Sequence, residues 1–334
     1  MDFSLFYFAH DSTGERDPYR LLLDGARFAD THGFTAVWTP ERHFHPFGGL
    51  YPNPSVTSAA LAAVTERVAI RAGSVVAPLH HPLRIAEEWS VVDNLSGGRV
   101  GVAFASGWNV DDFALNPANY AHRKKVLTDT VKSVRNLWQG KEVFLPNGSG
   151  DEVPVRVYPA PVQAELPIWL TTGGTTETFL AAGELGAGVL THLVGQDLDV
   201  LASRVAAYRD ALPADNPGHV TLMLHAYLGA DGSEVKSLVR GPMTEYLRGP
   251  IELFLKSEDA PEESDLEWVV EQAFERFYAD SSLLGTVEEN LEVLDRVAAA
   301  GVDEVACLID FGLDAKLVLD GLGRLDELRR RWRG

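Results

Sequence analysis

Short runs rich in β-branched and aromatic residues alternate along the chain with longer stretches in which apolar positions recur at helical spacing. Eight runs have the length and composition of strands: 3–9, 36–39, 68–76, 100–105, 168–172, 188–193, 221–228 and 304–310. Helical spacing occupies 19–32, 82–95, 123–138, 177–185, 198–212 and 287–300, and 315–331 closes the chain. Strand-helix alternation of this kind predicts an α/β protein with a parallel sheet, and eight repeats predict a (β/α)8 TIM barrel. Two segments break the repeat. Residues 142–161, with PNGSGDE between apolar alternations, predict a hairpin inserted before the fifth strand. Residues 256–282, opening on the acidic run SEDAPEESD, predict a loop and helix between the seventh and eighth strands, a lid or rim over one end. No fixed-period repeat or low-complexity linker interrupts 1–334, so one domain is expected.

Charge narrows the partners. Forty-eight acidic against 29 basic residues leave a net −19, which repels phosphate backbones and anionic membrane surfaces, so neither nucleic acid nor membrane is expected as a partner. The single cysteine, Cys307, lies in the apolar run VACLID and is expected to be a buried, inert thiol. The chain opens into DFSLFYFA without a basic leader, and no apolar run reaches the ~18 residues of a membrane span. A cytoplasmic protein is expected.

In a barrel, the chemistry gathers at the carboxyl ends of the strands. Those ends are polar here: His10 and Asp11 after the first, Glu41, Arg42, His43 and His45 after the second, and His80 and His81 after the third. Ser106, Gly107, Trp108 and Asn109 follow the fourth; Gly173, Gly174, Thr175, Thr176 and Thr178 the fifth; His192 and Gln196 the sixth; Asp310 the eighth. The segment TTGGTTET runs from a strand through two glycines into a helix, where free N–H groups and the helix dipole suit a phosphate, with Arg123 as a countercharge. Plain helix capping by Thr175 or Thr176 is the competing explanation. Gly73 and Ser74 interrupt a strand that should be central, which suits the close approach of something flat. Trp108 fits a stacking partner or core packing equally well.

The stretches VWTPERHF, AGSVVAPLHHPLRIAEEWSVVDNLSGGRVGVAFASGWN, PIWLTTGGTTETFLAAGELGAGVLTHLVGQ and LLGTVEENLEVLDRVAAAGVDEV, with the helix carrying Arg123, cover most of the chain and resemble the bacterial luciferase-like flavin monooxygenases. The resemblance is nearest to the subgroup that accompanies polyketide and nonribosomal peptide assembly lines. It implies reduced FMN (FMNH2), O2, a flavin C4a-(hydro)peroxide, and insertion of one oxygen atom into a small organic or carrier-bound substrate of secondary metabolism. It also implies a non-prolyl cis peptide among Gly73, Ser74 and Val75, with Ser74 against the isoalloxazine. Ser106 and Gly107 then meet the flavin or its ribityl chain, Arg123 meets phosphate, and Gly173, Gly174, Thr175 and Thr178 form the phosphate turn.

One position departs from the pattern. Luciferases carry two successive histidines after the glutamate, whereas this sequence has Arg42 and then His43. Light emission is therefore not expected. A guanidinium is no base at neutral pH but holds a peroxyflavin anion or a substrate carboxylate bidentately. His43 and His192 become the proton-transfer candidates, with Glu41 fixing Arg42 or His43. Lacking a G-x-G-x-x-G fingerprint, the chain is expected to draw reduced flavin from a separate NAD(P)H:flavin reductase, and the resemblance implies a homodimer. Three rivals stand beside this reading: a deazaflavin (F420)-dependent oxidoreductase on the same barrel, a non-catalytic flavin-binding protein, and a metal-dependent barrel hydrolase. The last is suggested by His43-Phe44-His45 with His192 and Asp310; on the flavin reading no metal is expected.

Overall fold

A computed structural model describes residues 1–8, 17–255 and 263–333. Its elements follow the order β1 (Asp2–Phe6), α1 (Arg20–His32), β2 (Ala36–Thr39), α2 (Pro54–Val64), β3 (Ala69–Val76), α3 (Pro82–Ser96), β4 (Val100–Ala105) and α4 (Arg123–Trp138). Then come β5 (Val143–Pro146), β6 (Glu152–Val155), β7 (Ile168–Thr172), α5 (Thr176–Glu184), β8 (Gly188–His192), α6 (Leu198–Asp210) and β9 (Val220–Leu228). The chain continues through α7 (Gly232–Leu255), α8 (Glu263–Asp280), β10 (Ser282–Gly285), α9 (Val287–Ala299), β11 (Glu304–Leu308) and α10 (Ala315–Arg333).

Eight parallel strands close in the order β1-β2-β3-β4-β7-β8-β9-β11, with β11 returning to β1, so the predicted barrel is present. The predicted hairpin is β5 and β6, antiparallel and outside the barrel. Residues 256–262 of the predicted rim segment lie outside the described residues, as do His10 and Asp11. The rest of that segment is α8, held against α7 by Lys236–Glu275 at 2.7 Å and by Arg240 on both Glu271 and Glu275.

Three features differ from the pattern in the sequence. Strands one and eight end at Phe6 and Leu308 rather than at 9 and 310: Tyr7 and Ile309 still make one backbone bond each, to Trp38 O and Phe6 O, and the Phe8 N–H then turns to the Asp310 side chain. The short β10 adds to the far half of β9, pairing Ser282 with His225 and Gly285 with Leu228. Helices α2 and α7 carry no clear amphipathic signature. In α2, PSVTSAALAAV buries Ser55, Thr57 and Ser58 along with Leu61, so small polar residues face inward; the Asn53 side chain caps it by accepting from the N–H groups of Ser55 and Val56. In α7, Gly241 and Pro242 read as turn signals yet lie inside a continuous helix.

The barrel interior holds a buried charge cluster. Glu304 is fully buried; its Oε2 pairs with Arg71 Nη1 at 2.7 Å, and its Oε1 accepts from Ser4 Oγ at 2.6 Å and Trp38 Nε1 at 3.0 Å. Burial alone would raise the Glu304 pKa, but Arg71, His219 and Ser4 outweigh it and hold the carboxylate below its usual range. The Arg71 guanidinium lies between Trp38 and Trp169, 4.9 and 4.6 Å from their ring centroids. Cys307 is fully buried beside this cluster and burial pushes its thiol pKa up, which matches the inert role expected of it. No helix among the described residues is long and apolar enough to cross a membrane.

Removing one member of a buried ion pair strands the other charge. Arg71→Met is therefore expected to lower the unfolding free energy by about 3–5 kcal/mol in denaturant titration, and adding Glu304→Gln to recover part of that loss. Equal, additive losses in the two single variants and the double variant would count against the pair as a unit.

Candidate active site

The loop after β2 is anchored by a backbone bond from Arg42 N–H to Tyr51 O at 2.9 Å and turns through Phe44 at φ 54° and Gly48 at φ 81°. At Gly48 a Cβ would stand 2.6 Å from Arg42 Cγ, so glycine is what lets the arginine lie down there. Glu41 is buried, at 4% exposure, and gathers three donors. Its Oε1 accepts from His43 Nε2 at 2.8 Å and His80 Nε2 at 2.5 Å, and its Oε2 from the N–H of Val76 at 2.7 Å. Glu41 therefore fixes His43 and His80, and not Arg42. Desolvation pushes its pKa up, but the two imidazoles and the Val76 N–H more than offset this and lower it. The same contact outweighs the desolvation of His80 and raises that histidine's pKa.

His45 is exposed, with Nδ1 accepting from the Phe47 N–H at 3.1 Å, so the His43-Phe44-His45 pair does not converge on one point. The group with spacing suited to a cation is instead Glu41, His43 and His80, whose donor atoms lie within 4.8 Å of one another. One carboxylate oxygen shared by two imidazoles satisfies all three without an ion. His81 has a separate task, capping α3 through Nδ1 to the Leu83 N–H.

Arg42 is 5% exposed, with its guanidinium 4.8 Å from the Trp108 ring centroid, 5.2 Å from that of Phe8 and 5.5 Å from that of Phe47. Trp108 is half exposed and serves as a stacking partner rather than core. Asp112 is the acid that most affects Arg42; its own pKa is raised by burial despite Arg42, and its Oδ1 accepts from Asn109 Nδ2 at 2.8 Å.

The Gly73–Ser74 peptide is cis, and the β3–β4 register shifts between Gly73 and Val75. A Cβ at Gly73 would meet Phe6 Cε2 at 2.5 Å and Trp38 at 3.3 Å, which accounts for the glycine. Ser74 Oγ bonds to Thr171 Oγ1, tying the irregular strand end to β7. Ser106 and Gly107 follow β4, with Gly107 at φ 77° and packed on Phe113 and Val76.

After β7, Thr172 Oγ1 accepts the N–H groups of Gly174 and Thr175 at 3.1 and 3.3 Å, and Thr175 Oγ1 lies 2.8 Å from Thr178 Oγ1. Thr175 occupies the N-cap of α5 without making a side-chain cap, so the expectation of ordinary capping does not hold. Among the described residues the N–H groups of Thr176 and Glu177 have no acceptor. Arg123 does not join this turn: its guanidinium sits on the Tyr120 ring at 4.6 Å and donates to Tyr120 O. The cation beside the turn is Arg204 of α6, whose Nη1 would stand 2.9 Å from a Cβ at Gly174 and donates to Gln196 Oε1 at 2.6 Å.

His192 ends β8 beside Gly173. Burial lowers its pKa to about 4, so it is neutral at neutral pH. Its Nδ1 accepts the Val194 N–H at 3.1 Å, which leaves the ring proton on Nε2. Fixed in that tautomer it is a hydrogen-bond donor toward the barrel mouth, and it has no free basic nitrogen there.

Comparison with known proteins follows the same lines. Residues 1–304 match the family described as Luciferase-like monooxygenase. The chain belongs to that family. Over 330 residues, 94% of this chain and 90% of the other, this luciferase-like monooxygenase is 25% identical to the oxygenase component of the flavin-dependent trigonelline monooxygenase of Acinetobacter baylyi. It is 28% identical over 189 residues, 54% of this chain and 56% of the other, to an F420-dependent glucose-6-phosphate dehydrogenase of Amycolatopsis mediterranei. The fold is shared with monooxygenase RslO1 of Streptomyces bottropensis, at a TM-score of 0.82 and 24% identity over the whole of both chains. It is shared too with the oxygenating constituent of 3,6-diketocamphane monooxygenase from a Pseudomonas putida plasmid in complex with FMN, at 0.75 and 16% identity over 98% and 97% of the chains.

Several residues at the mouth of this luciferase-like monooxygenase were not singled out by sequence. His80 looked interchangeable with His81, and only the strand end shows which of the two reaches Glu41. Arg204 is one of two arginines on α6. Tyr246, fully packed against Phe47 at 5.1 Å and His225 at 4.6 Å between ring centroids, lies on α7 beyond the misleading Gly241-Pro242.

A raised His80 pKa adds stability that is complete below the ordinary histidine value of 6.5 and fades as pH rises through the folded value; the lowered Glu41 pKa adds stability above 4.5 that fades as pH falls. The difference in thermal midpoint between the parent and His80→Gln is expected to be largest near pH 6 and to shrink as the pH is raised above it. A difference that grows with pH would contradict the shared-carboxylate arrangement.

Proposed function

We propose that this luciferase-like monooxygenase is the oxygenase of a two-component system, using reduced FMN and O2 to insert one oxygen atom into a small organic or carrier-bound substrate of secondary metabolism. The observation that carries the proposal is the β7–α5 turn: two acceptor-free N–H groups at Thr176 and Glu177, the Thr175 and Thr178 hydroxyls and the Arg204 cation form an anion site. It lies on the same barrel face as the glycine-thinned end of β3. A flat ring with a phosphate tail fits both. Gly73, Ser74 and Val75 would back the ring, Ser106 and Gly107 the ribityl chain, and Gly173, Gly174, Thr175 and Thr178 the phosphate, with Arg204 in the role expected of Arg123. Support for the separate reductase comes from the Acinetobacter relative, which is named as an oxygenase component. A homodimer in the cytoplasm completes the proposal.

Reduced FMN, when bound, supplies the two electrons with which O2 delivers one oxygen atom to the substrate and the other to water. The chain's own groups handle charge and protons. Glu41, kept ionised, holds the Nε2–H of His43, which leaves His43 Nδ1 as the basic atom at the mouth. His192 offers a fixed Nε2–H donor, and Arg42 a permanent cation.

F420-dependent relatives favour one other reading, hydride transfer from a deazaflavin, which also carries a phosphate. Titration separates the two: saturable binding of FMN and not of F420 is expected, with no metal in the purified protein. Thr176→Pro removes one free N–H at the first helical position, where proline is tolerated, after a residue already at φ −90° and ψ 131°. It is expected to weaken FMN about tenfold and leave riboflavin affinity unchanged. Equal weakening of both would place the phosphate elsewhere.

A further inference from the structure

We infer that the substrate of this site is a carboxylic acid with a flat, unsaturated body, its carboxylate held by Arg42 and its ring by the aromatic walls beside it. The inference rests on the monooxygenase reading and names the substrate class for it. A guanidinium offers five N–H donors in a plane and is costly to bury without an anionic partner. Among the described residues no hydrogen bond or ion pair reaches the Arg42 guanidinium; only the faces of Trp108, Phe8 and Phe47 lie against it. Asp112, the acid with the largest electrostatic effect on Arg42, accepts from Asn109 and makes no ion pair with Arg42 among the described residues. Ring faces satisfy the charge but none of the N–H donors, and the planar group that takes two of those donors at once is a carboxylate. Glu41, one residue away, cannot serve, since His43, His80 and Val76 use both of its oxygens.

Beyond the guanidinium runs a continuous series of rings, buried except for Phe8, meeting edge to face. Centroids lie 5.5 Å apart for Phe8 and Phe47, 5.1 Å for Phe47 and Tyr246, 4.6 Å for Tyr246 and His225, and 5.6 Å for His225 and Phe311. Burial pulls the His225 pKa down to about 3, so this wall is uncharged at neutral pH. Edges and faces in this order select a flat body over a flexible chain, because a ring gains contact on each side without losing rotamer freedom.

Calorimetric titration of the flavin-free protein with benzoate, benzamide and octanoate tests both halves of the inference. Benzoate is expected to bind saturably, with benzamide and octanoate each about tenfold weaker or worse. Arg42→Met is expected to weaken benzoate about tenfold or more while FMN affinity, measured separately, stays within twofold; Arg42→Lys should recover part of the loss because the charge remains. Trp108→Ala changes an exposed side chain and is the second variant should Arg42→Met fail to fold; it is expected to weaken benzoate and leave FMN unchanged. Equal binding of benzoate and benzamide would overturn the carboxylate assignment, and octanoate binding as tightly as benzoate the flat body. Loss of FMN rather than of benzoate in Arg42→Met would hand Arg42 to the flavin and overturn the inference. Absence of FMN binding by the parent protein would instead count against the monooxygenase proposal, whatever the acids did.

Discussion

The buried Arg71–Glu304 pair is the constraint from which the working end of the barrel is built. It spans the interior from β3 to β11, and through Ser4 and Trp38 it also engages β1 and β2. Two donors on one carboxylate oxygen fix the Trp38 indole, and the fixed indole, with Phe6, occupies the space that a side chain at residue 73 would need. Only glycine fits there. One residue further along, the strand leaves its regular register, the Gly73–Ser74 peptide is cis, and Ser74 is turned toward Thr171 of β7. The shape of the mouth is in this sense transmitted upward from a charge cluster inside the barrel.

A second buried carboxylate, Glu41, organises the rim by the same physics. Each of its oxygens is already accepting, so desolvation is offset and the group stays ionised. Three chain segments converge on it: the β2 loop through His43, the end of β3 through Val76, and the turn after β3 through His80. The loop that carries Arg42 is thereby tied to the strand that carries Ser74, through the bond from the Val76 N–H to Glu41. The second fixed point of the mouth is the β7–α5 turn, where Thr172 Oγ1 holds the backbone and Arg204, bonded to Gln196, packs beside Gly174.

The repeat of strands and helices was plain in the sequence because its signal is periodic, and the eight barrel strands fall where the apolar runs place them. Ends and exceptions were harder to read. Tyr7, Phe8 and Ile309 keep the runs apolar after β1 and β11 end, so hydrophobicity alone cannot mark where pairing stops. Helix α2 escaped because small residues such as Ser58 and Ala62 bury as readily as leucine when a strand lies close. Of the site, motif order gave Glu41, Arg42, His43 and the Gly73–Ser74 and Thr175–Thr178 turns. What it could not give was pairing across strands. Choosing His80 over His81, or Arg204 over Arg123, depends on which side chain points inward from elements far apart in sequence, and no local pattern encodes that.

The division of labour at the mouth explains how a family fold accommodates a change at its most reactive-looking position. The anion turn is made of backbone N–H groups and hydroxyls, and the flat surface beside it of glycine and a serine, so neither depends on the loop after β2. That loop is held by Glu41 through His43 and leaves the intervening position unconstrained except by room, which Gly48 provides. A histidine there would add a group that trades protons near neutral pH; Arg42 instead adds a charge that does not titrate in the working range. On the proposed function, proton exchange at the rim would fall to His43, whose Nε2 is tied to Glu41, and the substituted position would choose what the pocket attracts. A cation set among the rings of Phe8, Phe47 and Trp108, with no ion pair among the described residues, would on the inference above select an anionic ligand, and in that role a histidine of lowered charge would serve less well.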